Sequence, residues 1–521
     1  MDYRQAGTTA ALAYAKEARY GRGLAGPSTR SGVPFRAQAI TVFVATLLLA
    51  TLLRVAPARA AQQGAAGAAL ETWVERMNTA TDDELRAYVS SSFAESFLQQ
   101  VPLDQMMAVH AQLRAATPLE IEEIETDHGN AIVALLGTSS GTRLRAQLSV
   151  SGNPPLIDGL LLQPAESPDA VPPAPLEWET IDELAAAIIE ESGLPGVAIA
   201  RAEPGSTPTV GVAGVRAMGG TDLIAPDDLF HIGSLTKSMT ATALAALVEE
   251  GLLRWDATLG ELLPDVDMNP AFADIELAQV VRHLGRIPQH QTLDDEQFGR
   301  YNTLPGTATE QRGAYVAEVL AMEPLEAGYH YSNAGYSVAA YVGELASGRS
   351  WQQLVREEVF EPLGLTSCGF GWPATADRPD EPRGHFGAGA TRRVQGLDEY
   401  PLGAFMAPAG NVHCSAADLA RYGLAHLAGL NGEDGFLRAA TIQELHRLEP
   451  DGAPYAAGWG IDPESGQHRH NGSAGTFFAY LTIDPQAGMV VAFLANGGIA
   501  EGGTASRRAA DAVLQRAAQA P

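Results

Sequence analysis

A chain of 521 residues is too long for one compact core, so two or three folded units are expected. Its 46% hydrophobic and 18% charged residues are the composition of a globular protein and not of a disordered one. A formal net charge of −28 argues against nucleic acid as a partner, because phosphate binding needs a basic surface.

Residues 1–36 carry six basic side chains (Arg4, Lys16, Arg19, Arg22, Arg30 and Arg36) against two acidic ones, Asp2 and Glu17. An apolar run from Ala37 to Leu53 follows, and then Ala58-Arg59-Ala60. A basic stretch, a short apolar stretch and an A-x-A site predict a secretory signal peptide over residues 1–60, and so a secreted or periplasmic protein. The competing reading is an uncleaved membrane anchor, because the run is at the lower length limit for spanning a bilayer. Only under that reading is the membrane a partner.

The first folded unit, residues 61–163, opens with Leu70, Trp73, Val74 and Met77 at the spacing of one helix face. A second helix is expected over Leu103–Ala115. Beyond Pro118, the runs Ile121–Glu125, Ala131–Leu136, Leu144–Val150 and Ile157–Leu162 predict strands separated by turn chemistry. This small α+β domain resembles cystatin-like or nuclear-transport-factor-like modules, and it carries no catalytic motif. A Pro-rich linker is expected over residues 164–175.

The second unit, residues 176–521, begins with a predicted helix, Ile181–Glu191, and two strands, Gly196–Arg201 and Thr209–Ala213. Strands are predicted again over Phe477–Ile483 and Met489–Ala495, and a helix over Ala505–Ala518. Strands at both ends of a mostly helical middle predict one antiparallel sheet with an inserted helical subdomain, an α+β fold. Cys368 and Cys414 match neither a zinc nor a C-x-x-C spacing. One disulfide and two structural thiols are both open.

Lysine is the sharpest chemical signal. Of 34 Lys+Arg, only Lys16 and Lys237 are lysine, and Lys16 leaves with the signal segment. Arginine replaces a surface lysine in most respects but cannot lose its proton near neutral pH, as a general base must. Lys237 lies three residues after Ser234, and the apolar spacing of Leu244, Leu247 and Val248 with Gly251 as a stop predicts a helix starting near Ser234. Residues at i and i+3 share a helix face, so the two side chains can touch. The helix N-terminus favours negative charge developing at Ser234. An S-x-x-K tetrapeptide alone is weak, arising by chance about once in a chain of this length.

Two further motifs supply context. Tyr331-Ser332-Asn333 leads into an apolar run, and its phenol can share the lysine's proton network while Asn333 contacts a substrate amide or carbonyl. A helix entry capped by Asn333 is the alternative for that tripeptide. His470-Asn471-Gly472-Ser473 precedes a strand, where a backbone N–H can complete an oxyanion hole. A polar turn is the alternative there.

Together the three elements resemble the serine β-lactamase and penicillin-binding superfamily, whose signature is S-x-x-K, then Y-x-N or S-D-N, then K-T-G on a strand. The tyrosine form is similar to class C β-lactamases, D-alanyl-D-alanine carboxypeptidases and related esterases. Gly193–Val197, Gly251-Leu252-Leu253, Phe360–Leu365, Pro408–Val412 and Gly458-Trp459-Gly460 extend the resemblance over about residues 181–500. It implies that Ser234 is acylated, that Lys237 and Tyr331 form the proton relay, and that Asn333 contacts substrate. It also implies that the backbone amides of Ser234 and Ser473 hold the oxyanion. The expected substrate is a small molecule or peptide with an ester or amide bond, and no cofactor or metal is expected.

Two departures bear on specificity. His470 and Asn471 stand where the K-T-G lysine and threonine would be, followed by Gly472 and Ser473. A mostly neutral histidine grips a substrate carboxylate less well than a lysine, which disfavours β-lactams. Arg282–Pro288 stands where many relatives carry His-Thr-Ser-Gly-Leu, implying a different loop beside the site. The rival function is a non-catalytic module that binds cell-wall fragments or a protein partner, disfavoured because Ser234, Lys237, Tyr331 and Asn333 are all present.

Overall fold

The computed structural model describes residues 64–519 apart from short stretches, the longest being 166–174, 291–294 and 450–454. The predicted signal segment and most of the predicted linker lie outside the described residues. Among the described residues, no helix is long and apolar enough to cross a membrane.

The N-terminal module contains α1 (Ala65–Thr79), α2 (Asp82–Ser92), α3 (Glu95–Gln100) and α4 (Leu103–Arg114). Strands β1 (Glu120–Asp127), β2 (Ala131–Gly137), β3 (Arg143–Ser151) and β4 (Leu156–Ala165) then form an antiparallel meander in chain order. The i, i+3, i+4, i+7 face of α1 is the buried one, with Leu70, Trp73, Val74 and Met77 in the module's core. Trp73 Nε1 donates to His110 Nε2 at 2.9 Å, which satisfies the one polar atom of the buried indole. Helices α2 and α3 were not among the predicted elements. The Thr81-x-x-Glu84 capping box opens α2, with Glu84 N donating to Thr81 Oγ1 and Thr81 N to Glu84 Oε2.

The second unit is built on a six-stranded antiparallel sheet. Its order is Gly460–Ile461, His468–Ser473, Phe478–Asp484, Met489–Ala495, then β5 (Gly196–Ala202) and β6 (Thr209–Gly214). Helix α5 (Ile181–Ser192) and the C-terminal helix Ile499–Gln519 cover one face, burying Leu184, Ile188, Ala509 and Val513 against Ile199, Val491 and Phe493. The other face packs on the helical subdomain through a larger core. Strands Phe478–Asp484 and Met489–Ala495 are buried at every position, as expected of a sheet covered on both faces.

Helix α6 (Thr236–Glu249) threads the centre of the subdomain and is buried from Thr236 to Leu247. Besides Lys237, its buried polar residues are small, and they are hydrogen-bonded. Thr236 Oγ1 accepts from Val412 N, Ser238 Oγ donates to Leu235 O, and Thr240 Oγ1 donates to Pro408 O while accepting from Trp351 Nε1.

A buried ion pair ties the surrounding helices together. Arg312 on helix Ala308–Ala321 pairs with Glu344 on helix Asn333–Ser347, and both side chains are inaccessible. Glu344 Oε1 also accepts from Thr309 Oγ1 and from Trp351 N, each at 2.8 Å, and Arg312 Nη2 donates to Ala404 O. Removing one partner strands the other charge, so Glu344→Ala is expected to destabilise the protein by about 3–5 kcal/mol. Chemical denaturation reads this, and a loss under about 1 kcal/mol would contradict it.

Cys368 and Cys414 form a disulfide. It lies at a small three-stranded sheet in which Val412–Cys414 is flanked by Phe230–His231 and Gly369–Phe370. The pairing His413↔His231 sets the Ala409–Asn411 segment beside the turn that carries Ser234.

Candidate active site

Helix α6 is preceded by a tight turn, Gly233–Leu235, so Ser234 stands one turn earlier than the regular helix and Lys237 is in its first turn. The helix therefore begins two residues later than the sequence pattern predicts, and Ser234 sits at its N-terminus, half-exposed, between buried neighbours. Gly233 adopts φ 51°, and a Cβ there would overlap the backbone of Ser473. A Cβ on Gly472 would overlap Ile232 O and lie 2.6 Å from Ser234 N. Only two glycines allow the turn and the strand to approach this closely, which brings the backbones of Ser234 and Ser473 together.

Lys237 is fully buried, and its Nζ has three near neighbours. Ser234 Oγ is 3.0 Å away, Asn333 Oδ1 2.8 Å and Ala409 O 2.8 Å. None of the three is charged. Burial pushes the amine's pKa well below its usual value. A neutral amine has two N–H donors and one lone pair. Asn333 Oδ1 and Ala409 O accept the two donors, which leaves the lone pair for the Ser234 hydroxyl proton.

Tyr331 hydrogen-bonds Ser234, and its ring centroid lies 4.8 Å from Lys237 Nζ. Burial raises the phenol's pKa and lowers the amine's, which favours a protonated phenol beside an unprotonated amine. Burial disfavours both charged forms, and of the two groups the lysine is the available base.

Asn333 uses both ends of its amide, Oδ1 on Lys237 and Nδ2 donating to His290 O at 3.1 Å. It is the first residue of its helix, and the cap is Ser332, whose Oγ accepts from Gly335 N. His470 is buried, and burial pushes it down to about 3, so it is neutral. Its Nδ1 lies 2.6 Å from Asn471 O and its Nε2 2.9 Å from the Tyr455 hydroxyl. Because a carbonyl only accepts, Nδ1 carries the proton and Nε2 accepts from Tyr455. On a strand, alternate side chains point to opposite faces, and Asn471 is exposed where His470 is buried. The Ser473 side chain donates to Phe477 O at 2.6 Å and accepts from Gly475 N, bracing the turn that follows.

The structure thus brings Ser234, Lys237, Tyr331, Asn333, His470, Gly472 and Ser473 together and turns the Asn471 side chain away. Three contributors were not assigned from sequence: the Ala409 carbonyl, the Tyr455 phenol and the His283 ring, 4.3 Å from that of Tyr331. A backbone carbonyl leaves no sequence signal, and Tyr455 stands outside every motif.

Burial has a consequence for stability. It pushes His231, His426 and His470 down to about 3 and His413 to about 4. Between the folded and unfolded pKa the unfolded chain binds more protons. The stability these residues permit is therefore whole above about pH 6.5 and lost as pH falls towards 4. At about 1.4 kcal/mol per pH unit for each, the four remove about 5–6 kcal/mol per unit, comparable with the stability of a typical domain. Circular dichroism is expected to show acid unfolding with a midpoint between about pH 4.5 and 6. A native spectrum retained at pH 4 would contradict the burial argument.

Residues 181–515 match the family model described as Beta-lactamase, and the chain belongs to this family of β-lactamase-like serine hydrolases. Residues 61–154 match the model described as ORF 12 gene product N-terminal. Penicillin-binding protein 4 of Amycolatopsis lactamdurans is 30% identical over 332 residues, which cover 60% of this chain and 84% of that protein. An unguisins hydrolase of Aspergillus campestris is 25% identical, with 58% of each chain covered. Among solved structures, the D-amino acid amidase of Ochrobactrum anthropi SV3 superposes with a TM-score of 0.53. It is 21% identical, covering 65% of this chain and 98% of that one, a likeness of fold.

Proposed function

We propose that the protein hydrolyses an ester or amide through an acyl-enzyme on Ser234. The observation that carries this reading is the buried Lys237 amine, 3.0 Å from Ser234 Oγ and with its other contacts on neutral acceptors. Ser234 Oγ attacks the substrate carbonyl as its proton passes to Lys237 Nζ. The backbone N–H groups of Ser234 and Ser473 receive the oxyanion. As the tetrahedral intermediate collapses, the Tyr331 phenol gives its proton to the leaving alcohol or amine and regains one from the Lys237 ammonium. Water then attacks the acyl group by the reverse sequence, with Lys237 again taking the proton and Ser234 leaving as the hydroxyl.

His470 and Tyr455 satisfy each other and carry no charge, which supports a substrate without a carboxylate beside the scissile bond. That ranks neutral esters and amides, including small peptide-like ones, above β-lactams. The disulfide supports an oxidising compartment, and with the predicted signal segment, a secreted or periplasmic location.

The test is a matched pair of p-nitrophenyl esters, a butyrate and a hemisuccinate, assayed with wild type and Ser234→Ala. The butyrate is expected to be cleaved with at least ~10-fold higher kcat/KM, as the lost carboxylate contact implies, and Ser234→Ala to lose turnover of both. Preference for the hemisuccinate would sink the neutral-substrate reading, and undiminished Ser234→Ala would sink the acyl-enzyme.

A further inference from the structure

His283 combines three unfavourable features. Its backbone is left-handed, φ 62°, which is uncommon for a residue with a side chain. Its ring is buried. Its Nδ1 accepts from Ser332 N at 3.0 Å, so the ring proton is on Nε2, and that buried atom has no hydrogen-bond partner among the described residues. Strain and an unmet donor persist in a fold only where the surroundings compel them, and they concentrate at functional sites.

The compensation lies in what His283 holds. Its carbonyl accepts from His330 N at 2.9 Å, and its Nδ1 accepts from Ser332 N. Its ring lies against the Tyr331 ring between those two residues, with centroids 4.3 Å apart. One residue thus grips Tyr331 from the preceding residue, the following residue and the ring itself. The rest of its loop continues the grip. Pro288 O accepts from Ser332 Oγ, and Gln289 O and His290 O accept from Asn333 N and Nδ2. Arg282 anchors the base of the loop through Glu444.

We propose that His283 is a positioning residue that aims the Tyr331 phenol at Ser234 and thereby sets the rate of proton transfer. The inference rests on the acyl-enzyme reading of Ser234. A structural histidine would affect stability or substrate affinity. A positioning residue affects kcat, and only while there is a phenol to position.

The experiment is a double-mutant cycle on p-nitrophenyl butyrate turnover with wild type, His283→Ala, Tyr331→Phe and the double variant. His283→Asn is added because asparagine tolerates a left-handed backbone and offers Ser332 N an acceptor. His283→Ala is expected to lower kcat by about 100-fold, the cost of a misplaced catalytic group, with KM within about threefold. His283→Asn is expected to recover to within about 10-fold of wild type, and His283→Ala in the Tyr331→Phe background to cost less than about threefold more. An equal loss in both backgrounds, a change confined to KM, or no recovery by Asn would overturn the proposal. If the alanine variant does not fold, a kcat loss for His283→Asn that disappears in the Phe background supports it, and one that persists overturns it. Turnover that survives Ser234→Ala removes the acyl-enzyme reading and this inference with it, whereas failure of the cycle with Ser234→Ala inactive removes this inference alone.

Discussion

Lys237→Met is expected to abolish most turnover, lowering kcat by about 10²–10⁴-fold, while the protein remains folded. Methionine has nearly the length of lysine and no charge, so it keeps the buried volume and removes only the donor to Asn333 Oδ1 and Ala409 O. It cannot accept the Ser234 proton. Lys237→Arg is expected to be at least as inactive, because a guanidinium stays protonated at any pH the protein tolerates. It would also place an obligatory charge among the uncharged Ser234, Asn333 and Ala409 O. Wild-type kcat/KM is expected to rise with pH through a limb well below the ordinary lysine value, because burial lowers Lys237 and the unprotonated amine is the active form. A Lys237→Met variant within about tenfold of wild type would show that the base is elsewhere.

Gly472→Ala is the second large effect. The added methyl has no room: it overlaps Ile232 O and lies 2.6 Å from Ser234 N. Both contacts are backbone, so no side chain can swing aside. Strand His468–Ser473 must move away from the Gly233–Leu235 turn, separating the amides of Ser234 and Ser473. Loss of one oxyanion donor costs about 10²–10³-fold in kcat, and that fall is expected here even at temperatures where the variant is folded. Steady-state kinetics beside a thermal melt reads both. A folded variant with kcat within about threefold of wild type would mean that the two amides do not act together.

The parts of the molecule legible in sequence are those governed by local pattern. Strand Met489–Ala495 is an unbroken apolar run and Phe478–Asp484 is apolar through Leu481, and both stand within a residue of the predicted bounds. The Ser234–Lys237 pair was legible because lysine is otherwise almost absent and because a three-residue spacing is a helix contact. What escaped depends on pairings distant in the chain. The strands Phe230–His231, Gly369–Phe370 and Val412–Cys414 are too short to show a period, yet they bring Ala409 O to Lys237. His283 was visible only as part of an unusual loop, since nothing in sequence announces a left-handed histidine. The short α2 was marked by its Thr81–Glu84 capping box, a local signal present but passed over. Asn471 was expected in a segment preceding a strand; that segment is itself the strand His468–Ser473, whose alternation turns Asn471 to solvent.

Catalysis as proposed requires Ser234 to be a nucleophile activated in the folded protein, and intact mass spectrometry after incubation with a fluorophosphonate tests this most directly. Wild type is predicted to gain one phosphonyl group, mapped to the peptide containing Ser234, while folded Ser234→Ala gains none. Unmodified wild type, or equal labelling of the two proteins, would contradict the catalytic reading and favour a binding module built on the same fold.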